Sequence, residues 1–317
     1  MSKVVFKIPI KAPDYTLAQK QAIVDKILNG LTKEEAEADF VALRQLALND
    51  CEELKPLSTR GLKFANFFTT IERLATVTRF NLSFYELWKN KAQFKKKSYI
   101  NSFVELYQTD RYKMKESDPA LWYRIFNMKF GSITVFRPTN AMMMFCRFQP
   151  RFGVLNPCTG WGGICVGAAA MDVPQYIGVD TNLQLRKPYE GMIKSMQKYS
   201  RTKVTILFQD ALTVDYSKYA YDMVLTSPPY YDLHEYSHMQ KRESEEEWIN
   251  DFYYPLFMNT YKHLKRGGYF CINIPEPIYQ VTLLKWFGRP THKVLLAKHQ
   301  RLTSQPYHEY IYVWHKG

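Results

Sequence analysis

The sequence predicts an α/β protein: a mostly parallel seven-stranded sheet with crossover helices, preceded by a mainly helical N-terminal region. Three observations predict it. From residue 150 onward, short apolar runs alternate with amphipathic stretches, the pattern of strands joined by crossover helices. Before residue 130, apolar residues recur at helical spacing. The first apolar run after 150 ends in a glycine-rich turn that opens an alanine-rich helix, as at the start of a doubly wound sheet. No repeat and no low-complexity linker separates the regions, so the division at 1–130 and 131–317 is a change of pattern.

Composition bounds the function classes. Hydrophobic residues are 46% of the 317 and charged residues 23%, which supports a packed core and excludes wholesale disorder. No run of 18 apolar residues occurs, so no membrane partner is expected, and the first ten residues lack a signal-peptide pattern. The five cysteines, 51, 146, 158, 165 and 271, are widely spaced with no Cys-x-x-Cys pair. That argues against a disulfide framework or a metal site and fits a reducing intracellular compartment. The formal net charge of +13 favours anionic partners. It is unevenly spread: net −2 over 1–54, +9 over 55–130 and +6 over 131–317. Within the densest part Lys89, Lys91, Lys95, Lys96 and Lys97 alternate with Trp88, Phe94 and Tyr99. Lysines neutralise phosphates and exposed rings stack on bases; equally, such a stretch is a solvated helix face with its aromatics turned inward.

In chain order, Thr16 to Leu28 carries a helical pattern ending at Gly30. Thr32-Lys-Glu-Glu35 is a capping box opening a helix through Leu43, Leu46 and Leu48 that stops near Pro56. Phe64, Phe67, Phe68, Ile71 and Leu74 form an aromatic stripe at helical period, read as helix core. The pattern fades after Phe130. Strands are then expected at 153–156, 176–180, 204–209, 221–226, 268–274, 294–298 and 310–314. Helices are expected at 163–171, 188–199, 245–264 and 281–287, the third opened by the capping box Ser244-Glu-Glu-Glu247 and closed by Gly267-Gly268.

Four features fall at expected strand ends, where open α/β sheets hold ligands. Asn156-Pro157-Cys158-Thr159-Gly160-Trp161-Gly162-Gly163 is a strand-to-helix turn whose glycines admit close backbone approach, though a tight turn needs glycine in any case. Asp180 ends the next strand about 20 residues on, where a carboxylate accepts from both hydroxyls of a ribose or caps a helix. Asp210 ends the third, as an acceptor for an adenine amine or as a turn residue. Ser227-Pro228-Pro229-Tyr230 ends the fourth. Its prolines hold the backbone extended, so their carbonyls become fixed acceptors beside the planar face of Tyr230.

This order of glycine turn, Gly178-Val-Asp180, Gln209-Asp210 and Ser-Pro-Pro-Tyr resembles the S-adenosylmethionine-dependent DNA amino-methyltransferases, which methylate cytosine N4 or adenine N6. Phe136-Arg-Pro-Thr-Asn140 resembles a further donor-contacting motif of that family. Leu264–Phe270 and Pro306–Lys316 resemble its later strands, and the longer phrases 156–163 and 226–236 look most like members from large DNA viruses and phages. The resemblance covers about 135–316 and departs from the family where Asn156 replaces the usual Asp.

The resemblance implies a Rossmann-like methyltransferase domain at 131–317 and a DNA-contacting, target-recognition role for 1–130, helped by the loops at 231–242 and 275–280. It implies S-adenosyl-L-methionine as cofactor, held by Arg137, Pro138, Thr139, Asn156, Pro157, Gly160, Gly162, Gly163, Asp180 and Asp210. It implies catalysis at Ser227, Pro228, Pro229 and Tyr230, and DNA as partner, with Lys95, Lys96 and Lys97 as candidate phosphate contacts and no metal. A viral member would act in the cytoplasm or nucleus of a host. An exocyclic amine is a poor nucleophile because its lone pair is delocalised. Acceptors at Ser227 and the Pro228 carbonyl favour a pyramidal nitrogen, with Tyr230 stacked on a flipped-out base. Cys158 and Cys165 read as packing residues, and the C-terminal histidines form no metal signature. Serine at the motif's first position is commoner among the N4-cytosine enzymes. RNA or protein-glutamine methyltransferases and a catalytically inactive nucleic-acid-binding subunit share parts of the pattern and remain alternatives.

Overall fold

The computed structural model describes residues 11–47, 58–231, 234–235, 244–296 and 309–317. Its helices before the sheet are α1 (Leu17–Ile27), α2 (Lys33–Ala47), α3 (Leu62–Leu74), α4 (Phe84–Lys89), α5 (Lys91–Lys95), α6 (Ser98–Gln108), α7 (Pro119–Lys129) and α8 (Pro138–Phe148), with strand β1 (Val77–Thr78) after α3. There follow β2 (Val154–Asn156), α9 (Gly163–Ala170), β3 (Gln175–Asp180), α10 (Arg186–Met196), β4 (Lys203–Phe208), β5 (Met223–Thr226) and β6 (His234–Glu235). Last come α11 (Glu245–Trp248), a π-turn over Ile249–Tyr253, α12 (Tyr254–His263), β7 (Tyr269–Ile274), α13 (Glu276–Val281), α14 (Leu283–Phe287), β8 (His292–Leu296) and β9 (Glu309–His315).

The seven expected strands form one sheet in the order β4-β3-β2-β5-β7-β9-β8. Strands β4, β3, β2, β5 and β7 are parallel, and β9 runs antiparallel to both β7 and β8. The chain passes from β2 outward through β3 to β4, then crosses back to β5 on the other side of β2. The strand order therefore reverses between β2 and β5, the switch point at whose carboxyl ends open α/β sheets bind ligands. Burial on both faces explains the continuous apolar runs: every residue of β2 and β5 is buried.

The chain divides into two compact units: residues 1–32, 69–134 and 232–239, and residues 33–68, 135–231 and 240–317. The first has a mainly helical core of Ile23, Phe84, Phe94, Ile100, Leu121, Trp122 and Phe126, from α1, α4, α5, α6 and α7, joined by the bridge residue Leu82. Its first helix is opened by Thr16, which accepts from the Gln19 amide while the Gln19 side chain returns the bond. The second unit holds the sheet together with α2. Arg44 of α2 donates to the last-turn carbonyl of Ala169 at 2.9 Å and forks onto Asp172, covering the C-terminus of α9. That guanidinium holds the Asp172 carboxyl down at about 2, with burial opposing and the Arg201 amide and Ser200 hydroxyl helping.

Two elements depart from expectation. Residues 138–148 form a helix where the pattern fades; Pro138 at its first position, after an extended Arg137, is the local start signal. Residues 245–263 form one helical run interrupted by the π-turn at 249–253. A correction concerns the thiols. Cys146 on α8 is disulfide-bonded, against the expectation of no disulfide, while Cys158, Cys165 and Cys271 are free. Cys51, His299, His308 and most of the 231–242 loop lie outside the described residues. No described helix is long and apolar enough to cross a membrane, and no cluster of metal-ligating side chains occurs among the described residues.

Candidate functional site

The glycine turn leaves the carboxyl end of β2 and enters α9 under tight steric rules. Gly160 and Gly162 have φ of +55° and +84°, the left-handed region that favours glycine. At Gly163 a Cβ would lie 1.7 Å from the Phe136 carbonyl oxygen, so the backbone ahead of α8 runs directly against the start of α9. At Gly167 a Cβ would meet the Pro138 carbonyl at 2.7 Å, which sets the close packing of α8 on α9.

Asn156 is fully buried, donates to the Tyr176 hydroxyl at 3.0 Å and accepts the Cys158 amide. It shapes the turn from beneath, and Pro157 beside it is buried too. Tyr176 also meets the Thr159 hydroxyl at 2.5 Å, and Tyr189 of α10 donates to the Gly160 carbonyl at 2.9 Å. These two buried tyrosines brace the turn and were not singled out by sequence. The signal for Tyr176 was its alternation partner position on an apolar strand, which reads simply as core.

Asp180 ends β3, one strand away. Its carboxylate accepts the Gly160 amide at 2.8 Å and the Asn182 amide at 2.9 Å, tying the turn to the neighbouring strand end. Burial pushes its pKa up to about 6, against the lowering effect of those two amides. The side chain is half-buried, and each oxygen keeps acceptor capacity beyond its single amide. Asp210 is exposed, accepts the Leu212 amide at 2.9 Å, and its carbonyl takes the Thr213 amide and hydroxyl. It is a turn-forming aspartate at the end of β4.

Arg137, Pro138 and Thr139 are engaged in the sheet unit. Arg137 and Thr139 both donate to the Ser58 carbonyl, at 3.3 and 3.4 Å, and Pro138 faces Gly61 and Gly167. The part of this stretch that lies against the glycine turn is the Phe136 carbonyl rather than those side chains.

Ser227-Pro228-Pro229-Tyr230 follows β5, the neighbour of β2. The Ser227 hydroxyl meets the Tyr230 hydroxyl at 2.9 Å, which in turn bonds Asn273 of β7 at its side-chain oxygen, 3.0 Å away. Asn273 is buried and donates onward to the Tyr310 carbonyl of β9. Tyr253, at the end of the π-turn, donates to the Pro229 carbonyl at 2.9 Å and accepts the Tyr231 amide. Among the described residues no donor reaches the Pro228 carbonyl. Asn273 and Tyr253 thus fix the motif from two sides; neither carries a family-like signature, and only the register of β7 beside β5 identifies Asn273. The Cys158 and Cys165 thiols are pushed up by burial and serve as packing groups.

In the helical unit Lys95 pairs with Glu116, while Lys96 and Lys97 are exposed. Phe94 is buried, Lys91 lies over the Trp88 ring at 3.9 Å, and Tyr99 is 45% exposed. Of the interleaved aromatics, only Tyr99 presents a largely open ring.

No protein-family model matches the chain, and no curated protein matches its sequence. Solved structures do resemble it. A SAM-dependent O-methyltransferase from Thermotoga maritima aligns with a TM-score of 0.39 at 15% identity, over 60% of this chain and 70% of that one. TrmN from Thermus thermophilus aligns with a TM-score of 0.37 at 19% identity, over 64% of this chain and 55% of that one. An rRNA methylase from Streptococcus thermophilus aligns with a TM-score of 0.37 at 12% identity, over 58% of this chain and all of that one. Similarity at this level leaves the functional reading to the site's own geometry.

Proposed function

We propose that the chain transfers a methyl group from S-adenosyl-L-methionine to an exocyclic amine of a flipped-out DNA base, cytosine N4 ahead of adenine N6. The observation that carries this reading is the state of the two proline carbonyls: Tyr253 occupies that of Pro229, and that of Pro228 has no donor among the described residues, beside the Ser227 hydroxyl. A buried, rigid, unoccupied acceptor next to a hydroxyl is what orienting an aromatic amine requires.

The residues around Asp180 fit the methyl donor. Space is open at Gly160, where the nearest atom to an added Cβ is 4.0 Å away, and a poorly solvated carboxylate with remaining acceptor capacity lies one bond from that glycine's amide. Asp180 would take the ribose hydroxyls, and the turn from Gly160 to Gly163 would take the amino-acid end. The donor supplies an electrophilic methyl. The chain's residues do the rest: Ser227 Oγ and the Pro228 carbonyl accept the amine hydrogens and so free its lone pair, and the Tyr230 ring stacks on the base. No covalent enzyme intermediate is needed, in keeping with thiols that burial keeps protonated.

DNA rather than RNA or protein is favoured by Ser227 and by the family-like phrases around the two motifs. The test is to incubate the protein with labelled S-adenosylmethionine and DNA, RNA or protein, digest the product, and separate nucleosides and residues by mass. N4-methylcytosine from DNA is expected. N6-methyladenine would correct the base and keep the mechanism, and label confined to RNA or protein would overturn the substrate.

A further inference from the structure

We infer that Asn273 and the Tyr230 hydroxyl form a hydrogen-bond relay of fixed direction that turns the Ser227 proton away from the substrate, so that Ser227 meets it only as an acceptor. Asn273 is then a positioning residue for the amine. The chemistry rests on the methyl-transfer reading; the relay rests on hydrogen-bond geometry within the sheet unit.

The direction is set from the far end. Asn273 is 1% exposed on β7, and its Nδ2 donates to the Tyr310 carbonyl of β9 at 2.9 Å. A carbonyl can only accept, so the amide oxygen of Asn273 is the atom that faces Tyr230. The Tyr230 hydroxyl lies 3.0 Å from that oxygen and 3.2 Å from the Asn273 backbone carbonyl. Neither of these oxygens has a proton to give, and a phenol has one. The Tyr230 proton is therefore committed to Asn273. The Ser227 hydroxyl, 2.9 Å from the Tyr230 oxygen, must supply the proton of the next bond. What Ser227 keeps for a substrate is its lone pairs. Ser227 is only half-buried, so the relay is closed in the sheet and open at the motif.

A free serine hydroxyl rotates and serves donors and acceptors alike. Held as an acceptor beside the Pro228 carbonyl, Ser227 completes a pair that takes the two N–H groups of an exocyclic amine. A base with a carbonyl at that position, thymine or uracil, meets two acceptors and no donor, and is rejected. The relay orients and moves no proton, because it ends on carbonyl oxygens that take none.

Neutron diffraction from a deuterium-exchanged crystal of the chain, without methyl donor or DNA, decides the relay by itself. The Ser227 deuteron should point to Tyr230 and the Tyr230 deuteron to Asn273. A Tyr230 deuteron directed at Ser227 overturns the relay. A wild-type chain that methylates nothing sinks the methyltransferase reading and leaves that map as it is. The role in transfer is read from kinetics with DNA as substrate. Tyr230→Phe keeps the ring and removes the hydroxyl. It should lower kcat about tenfold with KM for donor and DNA within about twofold, because Ser227 is then free to rotate. Asn273→Leu should lower kcat by a smaller factor, since the backbone carbonyl still takes the Tyr230 proton. Both act through Ser227, so neither should lower kcat further in a Ser227→Ala chain. Full additivity of Tyr230→Phe with Ser227→Ala makes the hydroxyl a general structural bond and overturns the role, and so does a wild-type kcat in Tyr230→Phe.

Discussion

Asp180 ties the glycine turn to the neighbouring strand end, and in the proposed reading it holds the donor's ribose. It accepts an amide from the glycine turn and one from Asn182, and burial still raises its pKa to about 6. The ribose hydroxyls need an acceptor, and the carboxylate is the better one, so donor binding favours the deprotonated form. Affinity for S-adenosylmethionine should therefore be full above pH 7 and fall as the pH drops through about 6, by up to tenfold per unit. Calorimetric titrations between pH 5 and 8 that give a flat affinity would place the ribose elsewhere. Asp180→Ala should weaken the donor by roughly 1.5–3 kcal/mol, the worth of a charge-assisted hydrogen bond. Unaltered affinity in a folded variant would remove Asp180 from the site. The place of Asp180 at a strand end some 20 residues after the turn was legible in the sequence; its hold on the Gly160 amide was not. The turn-forming role of Asp210 was one of two readings that spacing alone left open, because the same residue type serves a turn and a ligand equally well.

At the scale of elements, the glycine turn and the π-turn each set a geometry on which the proposed chemistry would depend. Gly163→Ala would force a methyl group into the Phe136 carbonyl, backbone against backbone, with no side chain able to yield. The expected result is a loss of at least about 1–3 kcal/mol in stability, read as a lower midpoint in urea. Preserved stability would mean that the 135–137 segment moves away from α9 at little cost. Tyr253→Phe removes the hydroxyl that holds the Pro229 carbonyl and the Tyr231 amide. Methyl transfer should slow about tenfold or more while donor affinity stays put, since the motif loses its frame and Asp180 is untouched. A parallel fall in donor affinity would point to general loosening instead. The strands and the helices of the sheet were legible from apolar runs and capping boxes, as at Ser244 and Glu247. The π-turn was not: the buried Trp248, Phe252 and Leu256 recur every four residues and read as an unbroken α-helix. Helix α8 was hidden for another reason. It is only eleven residues long and eight of them are buried, so its short apolar run reads as strand or helix alike.

On the scale of the whole chain, charge and base choice are the open variables. The basic excess over 55–130 was plain in the sequence, but its division of labour was not. An ion pair such as Lys95 with Glu116 joins residues 21 apart, through the way α5 and the segment before α7 fold together. Lys96 and Lys97 are the exposed members of the run, next to the open ring of Tyr99. Replacing both by glutamine should weaken binding to every DNA sequence alike and lower the salt slope by up to about 1.8, two contacts at 0.9 each. Adding Lys95→Gln should contribute less than a third equal step, because that ammonium is already paired with a carboxylate. Filter binding over a salt series separates the outcomes. Equal steps for all three lysines would mean that the Glu116 pair opens when DNA arrives. No change for Lys96 and Lys97 together would make the stretch a solvated helix face, and would leave the burden of phosphate contact to other cations of the chain. Stacking on Tyr99 is tested in the same series: Tyr99→Ala should reduce affinity for single-stranded DNA by about 1–3 kcal/mol and leave the salt slope unaltered, since a ring contributes no released counter-ion.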